Sequence, residues 1–232
     1  MTCRVALIDY GMGNLFSVRQ ALEACGADVE FVDSPRQISN ADVLVLPGVG
    51  AFKDGMRGLE ERDLIGAIQD HAGTGRPMLG ICLGMQMLLD ESEEFGISKG
   101  LGLISGRVVA IPPTDINGQA HRIPHIGWNE LIHPHNSPDE WEDSILRGIP
   151  PGESMYFVHS FNALPANPKN RLADCYYGGV RISAAIRAGM VYGCQFHPEK
   201  SGPRGLQIIR NFLSTCEMRE EFRYSSHHHG NH

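Results

Sequence analysis

One stretch constrains this chain more than any other: Met78-Leu79-Gly80-Ile81-Cys82-Leu83-Gly84-Met85-Gln86. A short apolar run, entered through Arg76-Pro77, ends in Gly-x-Cys-x-Gly and passes at once into a helical run over residues 85–90. That order predicts a buried strand, a sharp turn and a helix. Such a turn brings neighbouring backbone close to its apex, so the flanking positions, Gly80 and Gly84, need residues without a Cβ. The Cys82 thiol then sits at a helix N-terminus, where the dipole and free N–H groups favour a thiolate. The N–H of Leu83 points where an oxyanion would form. The alternative for an unpaired cysteine is a buried structural thiol, and the pentapeptide alone leaves both readings open.

At 232 residues the chain is long enough for one α/β domain with a sizeable core, and two full domains would be cramped. We expect a single domain over residues 1–216 and a polar, His-rich, flexible tail over 217–232. A formal charge of −7 gives no electrostatic reason to expect nucleic acid or an anionic membrane. Six scattered cysteines lack the close pairs of a zinc site and read as reduced thiols of a cytosolic protein. Nowhere do eighteen apolar residues run together, and strand-like sequence begins by residue 4 without a charged-then-apolar leader, so a cytoplasmic location is expected.

Taken in order, residues 4–8 form a strand buried on both faces, as in a mainly parallel sheet. Leu15, Val18, Leu22 and Cys25 then fall at helical spacing, with Asn14 as N-cap and Gly26 as the stop. Gly11-x-Gly13 lacks the third glycine of a dinucleotide fingerprint, whose place Phe16 takes, so no cofactor is expected. Strands over 29–32 and 43–46, with a turn at Ser34-Pro35 between them, lead to Pro47-Gly48-Val49-Gly50-Ala51-Phe52. Two glycines there allow close ligand approach or a peptide flip, though an ordinary turn fits as well. One helix is expected over residues 55–71. The order favours an open, mostly parallel central sheet with helices on both faces.

Beyond residue 90 the texture changes. Glu91-Ser92-Glu93-Glu94 reads as a solvated face or helix end. Short strands follow at 108–111, 128–132, 154–158, 172–177, 180–186 and 190–196, with tight turns at Gly178-Gly179 and Ala188-Gly189. They point to antiparallel hairpins and a small antiparallel sheet in the second half. His133 and His135 sit in a polar loop whose Pro and Asn neighbours read as exposed surface, and no metal site is assigned. The last strand ends in Gln195-Phe196-His197-Pro198-Glu199-Lys200-Ser201. Pro198 keeps His197 out of the helical region, and extended backbone lets His197 and Glu199 point together. A carboxylate that fixes the imidazole tautomer leaves the other ring nitrogen to take a proton from a thiol. Alone this segment reads as a surface turn; with the elbow upstream, a Cys82–His197–Glu199 triad is the stronger reading.

These residues resemble the class I (triad) glutamine amidotransferases, and more narrowly the glutaminase subunits of imidazole glycerol phosphate synthase. The narrower likeness runs through Asp9-Tyr10-Gly11-Met12-Gly13-Asn14-Leu15, the 47–52 loop, Gly100-Leu101-Gly102-Leu103-Ile104, Gly127-Trp128-Asn129 and Tyr156-Phe157-Val158-His159-Ser160. The resemblance implies that Cys82 attacks the carboxamide of L-glutamine, with His197 as general base then acid and Glu199 as its orienter. It implies an oxyanion hole from Leu83 N–H and the Val49-Gly50 peptide, and glutamine-binding roles for Gln86 and Ser160. It also implies a heterodimer with a TIM-barrel cyclase that receives the ammonia, with Asn14, Trp128, Tyr156 and Lys200 at or near that interface. Read without the family, Trp128 and Tyr156 fit a core equally well and Lys200 a solvated charge. Three other readings compete: a paralogous glutaminase of an amino-sugar synthase, a stand-alone Cys-His amide hydrolase, and a non-catalytic binding module.

Overall fold

The structure, a computed structural model, describes residues 3–134 and 139–228. The first half runs β1 (Arg4–Ile8), α1 (Leu15–Ala24), β2 (Asp28–Val32), α2 (Pro35–Asn40), β3 (Val43–Leu46), α3 (Phe52–Glu60), α4 (Leu64–Gly73), β4 (Met78–Ile81) and α5 (Leu83–Met87). Then follow β5 (Glu91–Ser92), β6 (Ser98–Lys99), β7 (Gly106–Ala110), β8 (His125–Glu130), α6 (Asp139–Glu142), β9 (Ser154–His159) and β10 (Phe161–Pro165). The chain closes with β11 (Arg171–Tyr177), β12 (Val180–Ala188), β13 (Val191–Cys194) and α7 (Gly202–His228).

The apolar runs become the middle of a seven-stranded sheet ordered β11-β12-β13-β4-β3-β1-β2. Every neighbouring pair from β13 to β2 is parallel, and the β11–β12 and β12–β13 pairs are antiparallel. Because the central strands are buried on both faces, alternate residues feed two cores. Val5, Leu7, Val43, Val45 and Leu79 pack with Val18 and Leu22 of α1 and Ile209 and Phe212 of α7. Ile8, Leu44, Leu46 and Met78 pack with Ile38 of α2, Leu59 of α3 and Ile68 of α4. Such two-sided burial is what a continuous apolar strand requires. The second half adds a four-stranded sheet, β10-β7-β5-β6, and a two-stranded antiparallel ribbon of β8 and β9. Only the β5–β7 pair of the smaller sheet is parallel.

Several sequence expectations are corrected. The helix expected over 55–71 is two, α3 and α4, separated at Asp63, whose φ of 57° is left-handed. Asp tolerates that conformation and ends the helical run where apolar spacing alone would continue it. The turn at Ser34-Pro35 opens the short helix α2, with Pro35 in its first turn, where a missing N–H is harmless. The acidic segment is neither a solvated face nor a helix end: Glu91 and Ser92 form β5, and Ser92 is fully buried. The loop portion 135–138 and the tail residues 229–232 lie outside the described residues.

Candidate active site

Cys82 stands between β4 and α5 in the middle of the main sheet, at the carboxyl ends of the parallel strands, where open α/β sheets bind ligands. Its backbone has φ 55° and ψ −109°, a strained conformation for a side-chain-bearing residue. Neighbouring elements hold it there: its N–H donates to the Cys194 carbonyl of β13 at 2.7 Å, and its carbonyl accepts from Gln86 N–H at 3.2 Å. The glycines on either side leave no choice of residue. A Cβ on Gly80 would come within 2.7 Å of the Gly84 carbonyl carbon, and one on Gly84 would collide with the Leu46 carbonyl oxygen.

His197 follows β13 and enters the single turn Pro198–Lys200 with extended backbone, as a residue before proline should. Its Nδ1–H donates to Glu199 Oε1 at 2.8 Å, with the two side chains 3% and 1% exposed. That bond fixes the tautomer and leaves Nε2 available on the thiol side. Nε2 and Glu199 Oε2 have no hydrogen-bond partner among the described residues. Burial pushes the His197 ring down, but the Cys82 sulfur and the Glu199 carboxylate outweigh it and raise it to about 9. Beside a negatively charged sulfur the ring therefore keeps a proton that the thiol has given up. The Cys82 thiol points to the Val158 carbonyl at 3.7 Å and accepts from Gln195 Nε2, also at 3.7 Å. The histidine's backbone is clamped as well. His197 N–H donates to Tyr156 O at 2.9 Å, Ser201 Oγ donates to His197 O at 2.7 Å, and Tyr156 N–H donates to Ser201 Oγ at 3.0 Å.

A cavity of about 260 Å³ opens beside the thiol. Among its walls are Cys82, Leu83, Val49, Gly50, Gln86 and Ser160, gathered from three separate stretches of sequence, together with Glu94, His159 and Phe161. Its size lies just below the roughly 300–1,000 Å³ of drug-sized ligand sites and suits a small metabolite. The Leu83 N–H is occupied: it donates to the Gly48 carbonyl at 3.3 Å. Glu94, read from sequence as surface, is 9% exposed, and its Oε2 accepts from Phe52 N–H at 2.6 Å. It thereby caps the start of α3, whose own preceding residue, Ala51, offers no side-chain cap. His159 is buried and held well below the ordinary histidine range, at about 3, chiefly by desolvation, so it stays neutral. A larger hollow of about 540 Å³ lies at the opposite ends of β1 and β2, lined by Arg4, Asp28 and Glu30. It is remote from any thiol or histidine of the elbow region. Among the described residues no group of three or more His, Cys, Asp and Glu side chains is placed to hold a metal ion.

Residues 6–216 match the family described as glutamine amidotransferase class-I. The chain belongs to the class I glutamine amidotransferases. Curated relatives place it more narrowly. Imidazole glycerol phosphate synthase subunit HisH 1 of Legionella pneumophila (strain Lens) is 56% identical over 209 residues, covering 90% of this chain and 98% of the relative. The HisH subunit of Geobacillus sp. (strain WCH70) is 46% identical over 213 residues, covering 92% and 97%. Within the amidotransferases the chain therefore groups with the HisH subunits. Among solved structures, PurLQS from Thermotoga maritima matches with a TM-score of 0.69 at 21% identity over 93% of this chain and 99% of that one, a likeness of fold.

In this amidotransferase the remaining sequence-predicted positions lie on the outer side of the same region. Trp128 on β8 pairs across the ribbon with Tyr156 on β9, their rings edge to face at 5.9 Å. Trp128 is 56% exposed and Tyr156 half-buried, so Trp128 is not a core residue. Lys200 is exposed on the turn after His197, and that turn packs against α1, whose N-cap is the exposed Asn14. Sequence reading missed Glu94, Gln195 and Ser201. Gln195 carried a signal, being a polar residue inside an otherwise apolar strand end, which a buried position must satisfy with hydrogen bonds. Glu94 carried none.

Proposed function

We propose that this chain is the glutaminase subunit of imidazole glycerol phosphate synthase in histidine biosynthesis, releasing ammonia from L-glutamine for a TIM-barrel cyclase partner in the cytoplasm. The observation that carries this reading is Cys82 on a strained elbow with His197–Glu199 beside it, opening on a metabolite-sized cavity that a carboxylate also lines. Cys82 gives its proton to His197 Nε2 and its sulfur bonds to the side-chain carboxamide carbon. Collapse of the tetrahedral intermediate breaks the C–N bond, with His197 returning the proton to the departing ammonia. Water, deprotonated by His197, then cleaves the γ-glutamyl thioester to glutamate and restores the thiol. Glu199 holds the imidazole tautomer throughout. Glu94, an anion on the cavity wall, would pair with the substrate's α-ammonium, and Ser160 with its polar end.

The resting geometry also supports an explanation for partner dependence. Leu83 N–H, the first oxyanion donor, is engaged by the Gly48 carbonyl. Turning the Gly48–Val49 peptide, one step before the Val49-Gly50 peptide that the resemblance implies, would free Leu83 and swing the Val49 N–H toward the site, the rotation being taken up by ψ of Gly48 and φ of Val49. One rotation would thus supply two donors, Leu83 N–H and Val49 N–H. Absence of one such donor costs about 2.7–4 kcal/mol, or 10²–10³ in rate. Purified chain should therefore hydrolyse glutamine slowly alone, and faster by at least that factor with the cyclase and its ribonucleotide ligand. Cys82→Ala should abolish glutamine-dependent synthesis while leaving synthesis from ammonium salts intact. Fast turnover without a partner would favour a solitary hydrolase, and loss of both syntheses would remove Cys82 from its role.

A further inference from the structure

We propose that Gln195 is a further catalytic residue of this site, donating its side-chain amide to the Cys82 sulfur each time that sulfur carries negative charge. The polarity of the contact is fixed by a chain of hydrogen bonds that starts at a group able only to accept. Gln86 Nε2 donates to the Phe161 carbonyl at 3.3 Å and to Gln195 Oε1 at 2.9 Å. A backbone carbonyl cannot donate, so the nitrogen end of Gln86 must face both partners, and Gln195 must turn its oxygen to Gln86. Its NH2 end then faces Cys82 Sγ at 3.7 Å. A reversed Gln195 would set its nitrogen against the Gln86 nitrogen and its oxygen against the sulfur. Gln195 is fully buried and its own N–H is tied to the Ala184 carbonyl at 2.9 Å, so the donor is held in place and dry.

This placement matters at two moments. In the resting thiol the proton is directed at the Val158 carbonyl, and Gln195 contributes a weak neutral contact. Once that proton passes to His197 Nε2, the sulfur is an anion and the same N–H becomes a charge-assisted donor, formed without reorganisation. The second moment is cleavage of the thioester, when water's oxygen bonds to the acyl carbon, the S–C bond breaks and the sulfur again leaves as a thiolate. Gln195 supplies no proton in either step. Gln86 acquires a role distinct from holding substrate: its amide nitrogen is committed to orienting Gln195, and only its oxygen remains for the cavity.

The inference rests on Cys82 being the nucleophile of the proposed glutaminase, and the test separates the two. Cys82 is alkylated with iodoacetamide across a pH series and identified by peptide mass, in the wild type, in Gln195→Glu and in Gln195→Met. Glu keeps the acceptor for Gln86 but presents an oxygen to the sulfur; Met removes the donor at similar volume. Hydrogen bonds to charged groups imply a loss of about 10-fold or more in alkylation rate near neutral pH. The rates should converge with the wild type at alkaline pH, where the thiolate forms regardless. A folded variant whose rate is unchanged near neutrality, or lowered equally at every pH, overturns the assignment. If Glu impairs folding, Met decides by the same criterion. A wild-type Cys82 inert at neutral pH would instead sink the nucleophile reading, whereas slow glutamine turnover would leave the Gln195 result standing.

Discussion

Glu199 is not among the walls of the cavity beside Cys82 and still governs two properties of the site. Its carboxylate is buried, and its bond to His197 Nδ1 both selects a tautomer and helps raise the ring to about 9. A group raised in the folded state above its ordinary value of about 6.5 stabilises the fold fully below that value, and the contribution is lost as pH climbs through the folded value. Stability from the interactions of His197 with Cys82 and Glu199 should therefore decline between about pH 6.5 and 9. Glu199→Gln keeps a hydrogen-bond acceptor but removes the charge, so the ring falls toward its ordinary range and the decline shrinks. Urea midpoints at pH 6 and pH 9.5 for both proteins give the comparison: the wild type should lose its advantage over the variant at the higher pH. A constant difference would mean that the charge of Glu199 does not act on His197. Glutamine-dependent turnover should fall in the variant by roughly 10²–10⁴, the usual span of a positioned acid–base group.

At the scale of elements, α3 begins with no cap of its own and borrows one. Glu94 crosses 42 residues of sequence to accept from Phe52 N–H, and its charge suits the positive end of the helix. If the same carboxylate also meets the ammonium of glutamine, Glu94→Gln should split the two roles, since an amide oxygen can still cap. The expected result is a KM for glutamine raised about 10-fold or more with thermal stability nearly unchanged, whereas Glu94→Ala should also cost about 0.5–2 kcal/mol of stability. An unchanged KM in Glu94→Gln would remove Glu94 from substrate binding. The same contact explains what the sequence could and could not disclose. The elbow is legible because its demand, two residues without Cβ flanking one cysteine, is written in five consecutive positions. His197 and Glu199 are legible as neighbours for the same reason. Glu94 and Gln195 owe their meaning to partners 42 and 109 residues away: nothing local marks Glu94, and the apolar run around Gln195 says that it must be bonded but not to what. The break between α3 and α4 hides behind unbroken apolar spacing, because it depends on a left-handed Asp63.

For the whole molecule, the exposed apolar side chains of β8 are one feature that folding alone does not require. Ile126 and Trp128 are two residues apart, project from one face of the ribbon, and are 54% and 56% exposed. Contiguous exposed apolar surface is what interaction sites are built from, and these two side chains supply it on one face of the ribbon. The ribbon is also wired to the reacting centre, since Tyr156, paired with Trp128, clasps the His197 backbone from β9. On the proposed function, a cyclase seated on this face would press on the strand that holds the His197 backbone, and would so join partner binding to catalysis through backbone hydrogen bonds. Trp128→Ala should leave the thermal midpoint nearly unchanged, because an exposed substitution typically shifts stability by no more than about 0.5 kcal/mol. Affinity for the cyclase should fall by about 30-fold or more if Trp128 is a central anchor, the equivalent of about 2 kcal/mol. Titration calorimetry with the cyclase measures this directly, and glutaminase stimulation should return at saturating partner. Wild-type affinity in Trp128→Ala would move the docking face elsewhere on the molecule, and lost stability would make the tryptophan part of the fold rather than of the interface.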